Sequence, residues 1–235
     1  MGVITETLGR KIVFQRLSIA FIAAAVILLL ANTFDSADEH KVPYYNEASF
    51  TPIWNSGKTE SGTLHTIAPF YMINQSGERV TSNILKGKIT LVNFFFTACQ
   101  SVCPKMKDTM KKVHTNFDGN PAVLFLSFSV TPDNDTVHKL AEYAKSNKIP
   151  HRQWYLLTGD KDEIYQLARQ SFFIEEEPGL SKSAKQFLHT ENLVLIDGDG
   201  HIRGLYNGTL EAEVPRISED IRALLQELYV VRFTL

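Results

Sequence analysis

The stretch Phe94-Phe95-Phe96-Thr97-Ala98-Cys99-Gln100-Ser101-Val102-Cys103-Pro104-Lys105-Met106 joins a strand signal to a helix signal and holds both cysteines of the chain. Upstream, Lys88-Ile89-Thr90-Leu91-Val92-Asn93-Phe94-Phe95-Phe96 is apolar and β-branched, the pattern of a strand covered on both faces. Downstream, Pro104 suits a first helical turn, and Met106, Met110, Val113 and Phe117 recur at spacings of four, three and four. Thiols four residues apart near a helix start can point the same way. A helix N-terminus beside them is expected to lower their pKa values and favour the thiolate, the form that binds metal and attacks disulfides.

Three kinds of role compete for this pair. A structural disulfide would close so short a loop that it constrains the unfolded chain by only about 2 kcal/mol. Two free cysteines that merely pack in a core would seldom fall four apart, directly after a strand, as the only two in 235 residues. Redox or metal chemistry is the third role. A thioredoxin-type site reads Cys-x-x-Cys, whereas three residues intervene here. The wider spacing still permits a disulfide and leaves room for two sulfurs to hold one ion.

Composition narrows the class. At 235 residues and 44% apolar, the chain can bury one good core with a small appendage. Its net charge of −2 gives no basic excess for nucleic acid, and two cysteines cannot staple a scaffold. Residues 12–31 form one hydrophobic block, long enough to cross a bilayer if Gln15 and Arg16 snorkel. Arg10, Lys11 and Arg16 lead it and Asp35, Asp38 and Glu39 follow it, so the positive-inside rule leaves the following domain outside the cytoplasm. No small-x-small cleavage site follows Leu30, which favours an uncleaved anchor over a signal peptide. The expected organisation is a cytoplasmic N-terminus over 1–11, a single-pass anchor over 12–31 in a bacterial inner membrane, a tether over 32–62 and a periplasmic domain over 63–235. Tyr44, Tyr45, Phe50 and Trp54 make the tether too apolar for a pure linker, and docking on the domain is the simplest role for them.

From His65 the chain alternates strands and helices. A hairpin is expected across Ile67–Thr81, turning at Asn74-Gln75-Ser76-Gly77. After the cysteine strand and helix come a buried strand over 122–130 and a helix over 133–148 opened by Pro132-Asp133. A short strand over 154–157 and a short helix over 161–170 follow. Residues 192–196 and 202–206 pair through Asp197-Gly198-Asp199-Gly200, and a last amphipathic helix covers about 214–228. This is an α/β, thioredoxin-like plan with an extra loop over 172–187.

That plan singles out His189. Thioredoxins carry a cis-proline opposite the cysteines, just before the strand corresponding to 192–196; no proline lies between Gly179 and Glu191 here, and His189 arrives at that place. A lone histidine is more often a hydrogen-bonded bystander. Two thiolates and an imidazole meeting at one point make a trigonal site whose soft sulfurs select Cu(I), whereas zinc normally takes a fourth ligand or keeps a water.

These residues, with Trp154-Tyr155-Leu156-Leu157-Thr158-Gly159 and His189 before Leu193-Val194-Leu195-Ile196-Asp197, resemble the Sco/SenC copper chaperones from about Tyr44 to the last helix. The resemblance implies a membrane-anchored, thioredoxin-like protein that helps assemble the dinuclear copper (CuA) centre of cytochrome c oxidase. It implies copper ligands at Cys99, Cys103 and His189, Cu(I) as cargo with Cu(II) as a second state, and the oxidase's copper-bearing subunit as client. A copper donor or a thiol reductant would be the other partners. A thiol–disulfide oxidoreductase that reduces a client's copper-binding cysteines would use the same Cys99 and Cys103 as a redox pair. One departure is Thr131-Pro132 where the family often has Asp-Pro, although Asp135-Thr136 fits; the part of an acid beside the site is therefore open.

Other chemistry is weaker. Met106 and Met110 could bring a thioether to a metal but read as core filler. A peroxidatic site resembling peroxiredoxins would need Thr or Ser where Phe96 stands. The Asp197–Gly200 run lacks the later Glu of a calcium loop.

Overall fold

The computed structural model describes residues 40–54, 63–174 and 190–233; the expected anchor over 12–31 and His189 lie outside them. Strands β1 (Tyr71–Asn74) and β2 (Arg79–Thr81) form the first hairpin. A 3-10 turn (Ser82–Leu85) leads to β3 (Ile89–Phe95), followed by α1 (Val102–Asn116), β4 (Val123–Ser129), α2 (Val137–Ser146) and β5 (Trp154–Thr158). Then come α3 (Lys161–Gln166), which continues into a π-helical turn (Leu167–Ser171), β6 (Asn192–Ile196), β7 (Ile202–Asn207) and α4 (Glu213–Phe233). The seven strands lie in the order β2-β1-β5-β4-β3-β6-β7. β3, β4 and β5 run parallel, joined by crossovers through α1 and α2, and β6 returns antiparallel to β3.

All seven residues of β3 and of β4 are buried, because each strand is covered on both faces. One face carries Ile89, Leu91, Val123, Phe125, Leu193 and Leu195 against α1, α2 and α4. The other carries Val92, Phe94, Leu124, Leu126 and Phe128 against α3, the π-turn and the 3-10 turn. Met106 and Met110 are fully buried in the first layer, which makes them core and not metal ligands. β3, flanked by β4 and β6 inside the sheet, thus ends in the cysteine loop as a rigid base.

Two helix boundaries differ from expectation. α2 starts at Val137, not Asp133, because Thr136 is its N-cap, with its side chain accepting from Lys139 N, while residues 131–135 form a turn. α4 runs on to Phe233, beyond the expected end near 228.

Residues 40–54, read from composition as part of a tether, pack on the domain. Tyr45 N–H donates to Ile202 O on β7 (3.0 Å), and Tyr44 pairs with Ile53. Arg203, 3% exposed, ties the segment to the domain, its N–H groups shared between the segment's carbonyls and two carboxylates. Its Nε and Nη2 donate to the carbonyls of Pro43 (3.1 Å) and Val42 (2.7 Å), and its Nη1 and Nη2 to Asp197 and Glu227. Its guanidinium lies 3.9 Å over the Tyr44 ring. Phe50 reaches the Tyr45 and Phe173 rings, whereas Trp54 stays 60% exposed. Asp197 is committed to the same cluster and to the backbone of Asp199 and His201, so the Asp-Gly-Asp-Gly turn is structural.

Candidate metal and redox site

β3 releases the chain at Phe95, and the loop Phe96–Ser101 turns it into α1, with Cys99 N–H bonded to Phe96 O (3.2 Å). A helix start needs acceptors for its first N–H groups. Ser101 occupies the N-cap but makes no side-chain cap bond. Cys99 supplies an acceptor instead: Cys103 N–H points at Cys99 Sγ at 3.4 Å. The i, i+4 spacing thus puts Cys99 over the first turn, half-buried, while Cys103 sits inside it, 5% exposed among Phe95, Met106 and their neighbours.

This arrangement splits the two acidities. Burial would raise the Cys99 thiol, but hydrogen bonds from the Cys103 thiol and from the Cys103 and Ser101 backbone outweigh it, so its pKa lies below the ordinary value. Cys103 goes the other way, pushed up to about 12 by burial and then by its bond to Cys99. The expectation that the helix N-terminus lowers both thiols is therefore corrected. Desolvation in the Phe95–Met106 pocket wins for Cys103, which donates to its partner sulfur. Tyr143 of α2 packs on Phe95 (5.5 Å between ring centres), and burial followed by the charges of Cys103 and Cys99 pushes its phenol to about 12. Both cysteines are free thiols.

The split has a direct readout. With iodoacetamide at about pH 8, Cys99 should be alkylated and Cys103 left intact, since the thiolate is the nucleophile. Peptide mass spectrometry after a short exposure reports the ratio; equal labelling would refute the assignment of roles.

An acid does stand beside the loop: it is Asp135, which fits the resemblance, and not position 131, where Thr stands. Asp135, 1% exposed, accepts from Thr97 N–H (3.0 Å), Thr97 Oγ1 (2.5 Å), Ser129 Oγ (2.7 Å) and Thr131 Oγ1 (3.0 Å). Thr131, standing where the family often has an acid, serves as one of its donors. The local signal was a run of hydroxyls, Ser129 and Thr131, just ahead of an aspartate at a strand end.

Of the three residues expected at the site, the structure brings Cys99 and Cys103 together. β6 runs antiparallel to β3 with Val92 opposite Val194, so the chain entering β6 from Thr190 arrives at the end of the sheet where the Cys99 loop leaves. His189 itself lies outside the described residues. Among the described residues no group of three or more His, Cys, Asp or Glu side chains is arranged to hold a metal ion.

The SCO1/SenC family model matches residues 58–226. Over 165 residues the chain is 32% identical to the SCO1 protein homolog of Bacillus subtilis, spanning 68% of this chain and 82% of that one. It is 32% identical over 139 residues to the mitochondrial SCO1 homolog of Homo sapiens, covering 56% of this chain but only 44% of the human protein. Among solved structures, BsSco, a member of the Sco family of cytochrome c oxidase assembly proteins with a disulfide switch, aligns at 30% identity and a TM-score of 0.59 over 69% of this chain and 94% of that one. Copper-bound ScoI of Bradyrhizobium japonicum aligns at 27% identity and a TM-score of 0.54 over 68% and 99%. With a thioredoxin-like sheet, both cysteines where β3 meets α1, and a family match across most of the folded unit, the chain belongs to the SCO1/SenC family.

Proposed function

We propose that this chain is a membrane-anchored copper-binding assembly factor that helps mature the CuA centre of cytochrome c oxidase. The observation that carries the reading is the pairing of Cys99 and Cys103, the chain's only cysteines, at one helix start, with Cys103 N–H on Cys99 Sγ. Two sulfurs within one helical turn fit a soft ion. His189, next to Thr190 at the entry to β6, is the third ligand in this proposal. The copper-bound relative supports the choice of ion. Copper is cargo here: both thiols must give up their protons to hold it, and the half-buried Cys99 side is where it enters and leaves. Cu(I) suits the thiolates, with Cu(II) as a second state. The copper-bearing oxidase subunit receives the ion, and a copper donor or thiol reductant prepares the site.

Anaerobic purification of the reduced protein tests this reading by metal content. One copper per chain after loading, lost on oxidation to the disulfide, is expected; zinc at equal stoichiometry or no metal would overturn it.

The split acidities favour a second reading, a thiol–disulfide oxidoreductase in which Cys99 attacks a client disulfide and Cys103 resolves it. In both readings the domain works outside the cytoplasm, on the periplasmic side of a bacterial inner membrane, anchored by 12–31. A reporter active only in the periplasm, fused after Leu235, should therefore be active, and a working cytoplasm-only reporter in that place would reverse the topology.

A further inference from the structure

We infer that Asp135 is a positioning residue for the cysteine pair, holding the Cys99 loop in register with Cys103 from across the sheet. The carboxyl is almost wholly buried, and its two oxygens face four protein donors, two of them from Thr97, two residues before Cys99. Lys139 Nζ, at 3.9 Å from Oδ1 and half-exposed, is the cation nearest it. A buried carboxylate of this kind is costly unless every lone pair is answered. Here the answering groups come from two separate segments: the loop after β3, and the end of β4 with the turn after it.

The connection to the site is short. The Thr97 bonds fix the backbone at the point where it leaves β3, the Cys99 N–H···O=C Phe96 bond closes the turn, and Cys99 Sγ lands on Cys103 N–H. Without the carboxylate, the loop loses both Thr97 anchors and samples more conformations. The two sulfurs then meet in a smaller fraction of them, and their effective concentration falls. The inference stands on either functional reading, because a dithiol and a metal chelate need the same proximity.

The test uses the metal-free protein in glutathione redox buffers. Cys99 and Cys103 lose two protons and two electrons as their S–S bond forms, and glutathione disulfide takes them up to become two glutathione thiols. The equilibrium constant gives the effective concentration of the pair. Asp135→Asn should lower it at least about tenfold, the scale of one lost charge-assisted hydrogen bond. Thr97→Val, which removes only the hydroxyl donor, should lower it in the same direction. Asp135→Asn with Thr97→Val should lose less than the sum of the two, and Thr97→Ser should recover most of the valine loss. Thermal melting is measured beside each value. A folded Thr97→Val or Asp135→Asn protein with an unchanged equilibrium constant would overturn the inference, as would strictly additive losses. If Asp135→Asn does not fold, the valine and serine pair decides. Failure of copper binding elsewhere leaves this measurement untouched, so the two proposals fall separately.

Discussion

Cys103→Ser should weaken Cu(I) binding by more than about 100-fold, beyond what removing a ligand's supporting hydrogen bond alone costs. Serine is close in size to cysteine, so the pocket against Phe95 and Met106 stays filled and the fold should hold. What changes is the donor. A hydroxyl oxygen is hard and does not ionise near neutral pH, so the ion keeps a single sulfur, Cys99, and loses the chelate. Cys99 meanwhile loses the thiol that donates to it, and its acidity should move back toward that of an ordinary cysteine. Competition against a chromogenic Cu(I) chelator, with Cys99 alkylation followed on the same sample, reads both effects. Undiminished affinity in the serine protein would show that this pair does not bind the ion, and the metal reading would fall. The disulfide form of the unmodified protein should behave like the serine variant, because oxidation removes both thiolates at once.

The parts of this molecule set by local pattern were readable in its sequence. Ile89–Phe95 is apolar without alternation, and such a run has few uses other than a strand with layers on both faces, which is where β3 lies. Met106, Met110 and Val113 sit at helical spacing because one face of α1 had to meet the sheet, and all three are fully buried. What escaped depends on contacts between distant segments. The opposite shifts of Cys99 and Cys103 arise because hydrogen bonds outweigh burial at the half-buried Cys99, whereas burial under Phe95 dominates at Cys103; neighbours in sequence do not reveal that difference. Asp135 falls within the helix expected over 133–148, and its tie to the cysteine loop appears only when Thr97 is brought beside it from the end of β3. Tyr44 and Tyr45 dock on the domain as expected, but where they dock was not legible, because Arg203 over the Tyr44 ring and Ile202 O on Tyr45 N–H lie some 160 residues away. The start of α2 moved for a related reason: residues 131–135 serve the cysteine loop, and the N-cap role passed to Thr136.

His189→Ala, with both cysteines intact, separates the two functional readings. In the copper reading the ion loses one of three ligands. Affinity should fall by about 100-fold or more, since a ligand matters more than the outer groups that orient it, and oxidase maturation should fail with it. Thiol exchange has a different dependence. Electrons pass between sulfurs, Cys99 attacks and Cys103 resolves, and among the described residues the hydrogen bonds that act on their acidities come from each other, from the Ser101 hydroxyl and from the backbone of Phe96, Ser101 and Cys103. In the oxidoreductase reading an imidazole can tune thiolate acidity but carries no electrons, so the alanine protein should still reduce a model disulfide, at a rate within about ten-fold of the unmodified protein. Copper affinity and disulfide exchange are therefore measured on one folded preparation, with oxidase assembly scored in cells carrying the same variant. Lost copper binding, preserved exchange and failed assembly together identify metal handling as the working role. Unchanged copper affinity would remove His189 from the ligand set. Normal oxidase assembly in spite of lost binding would transfer the function to the dithiol, with copper no longer its cargo.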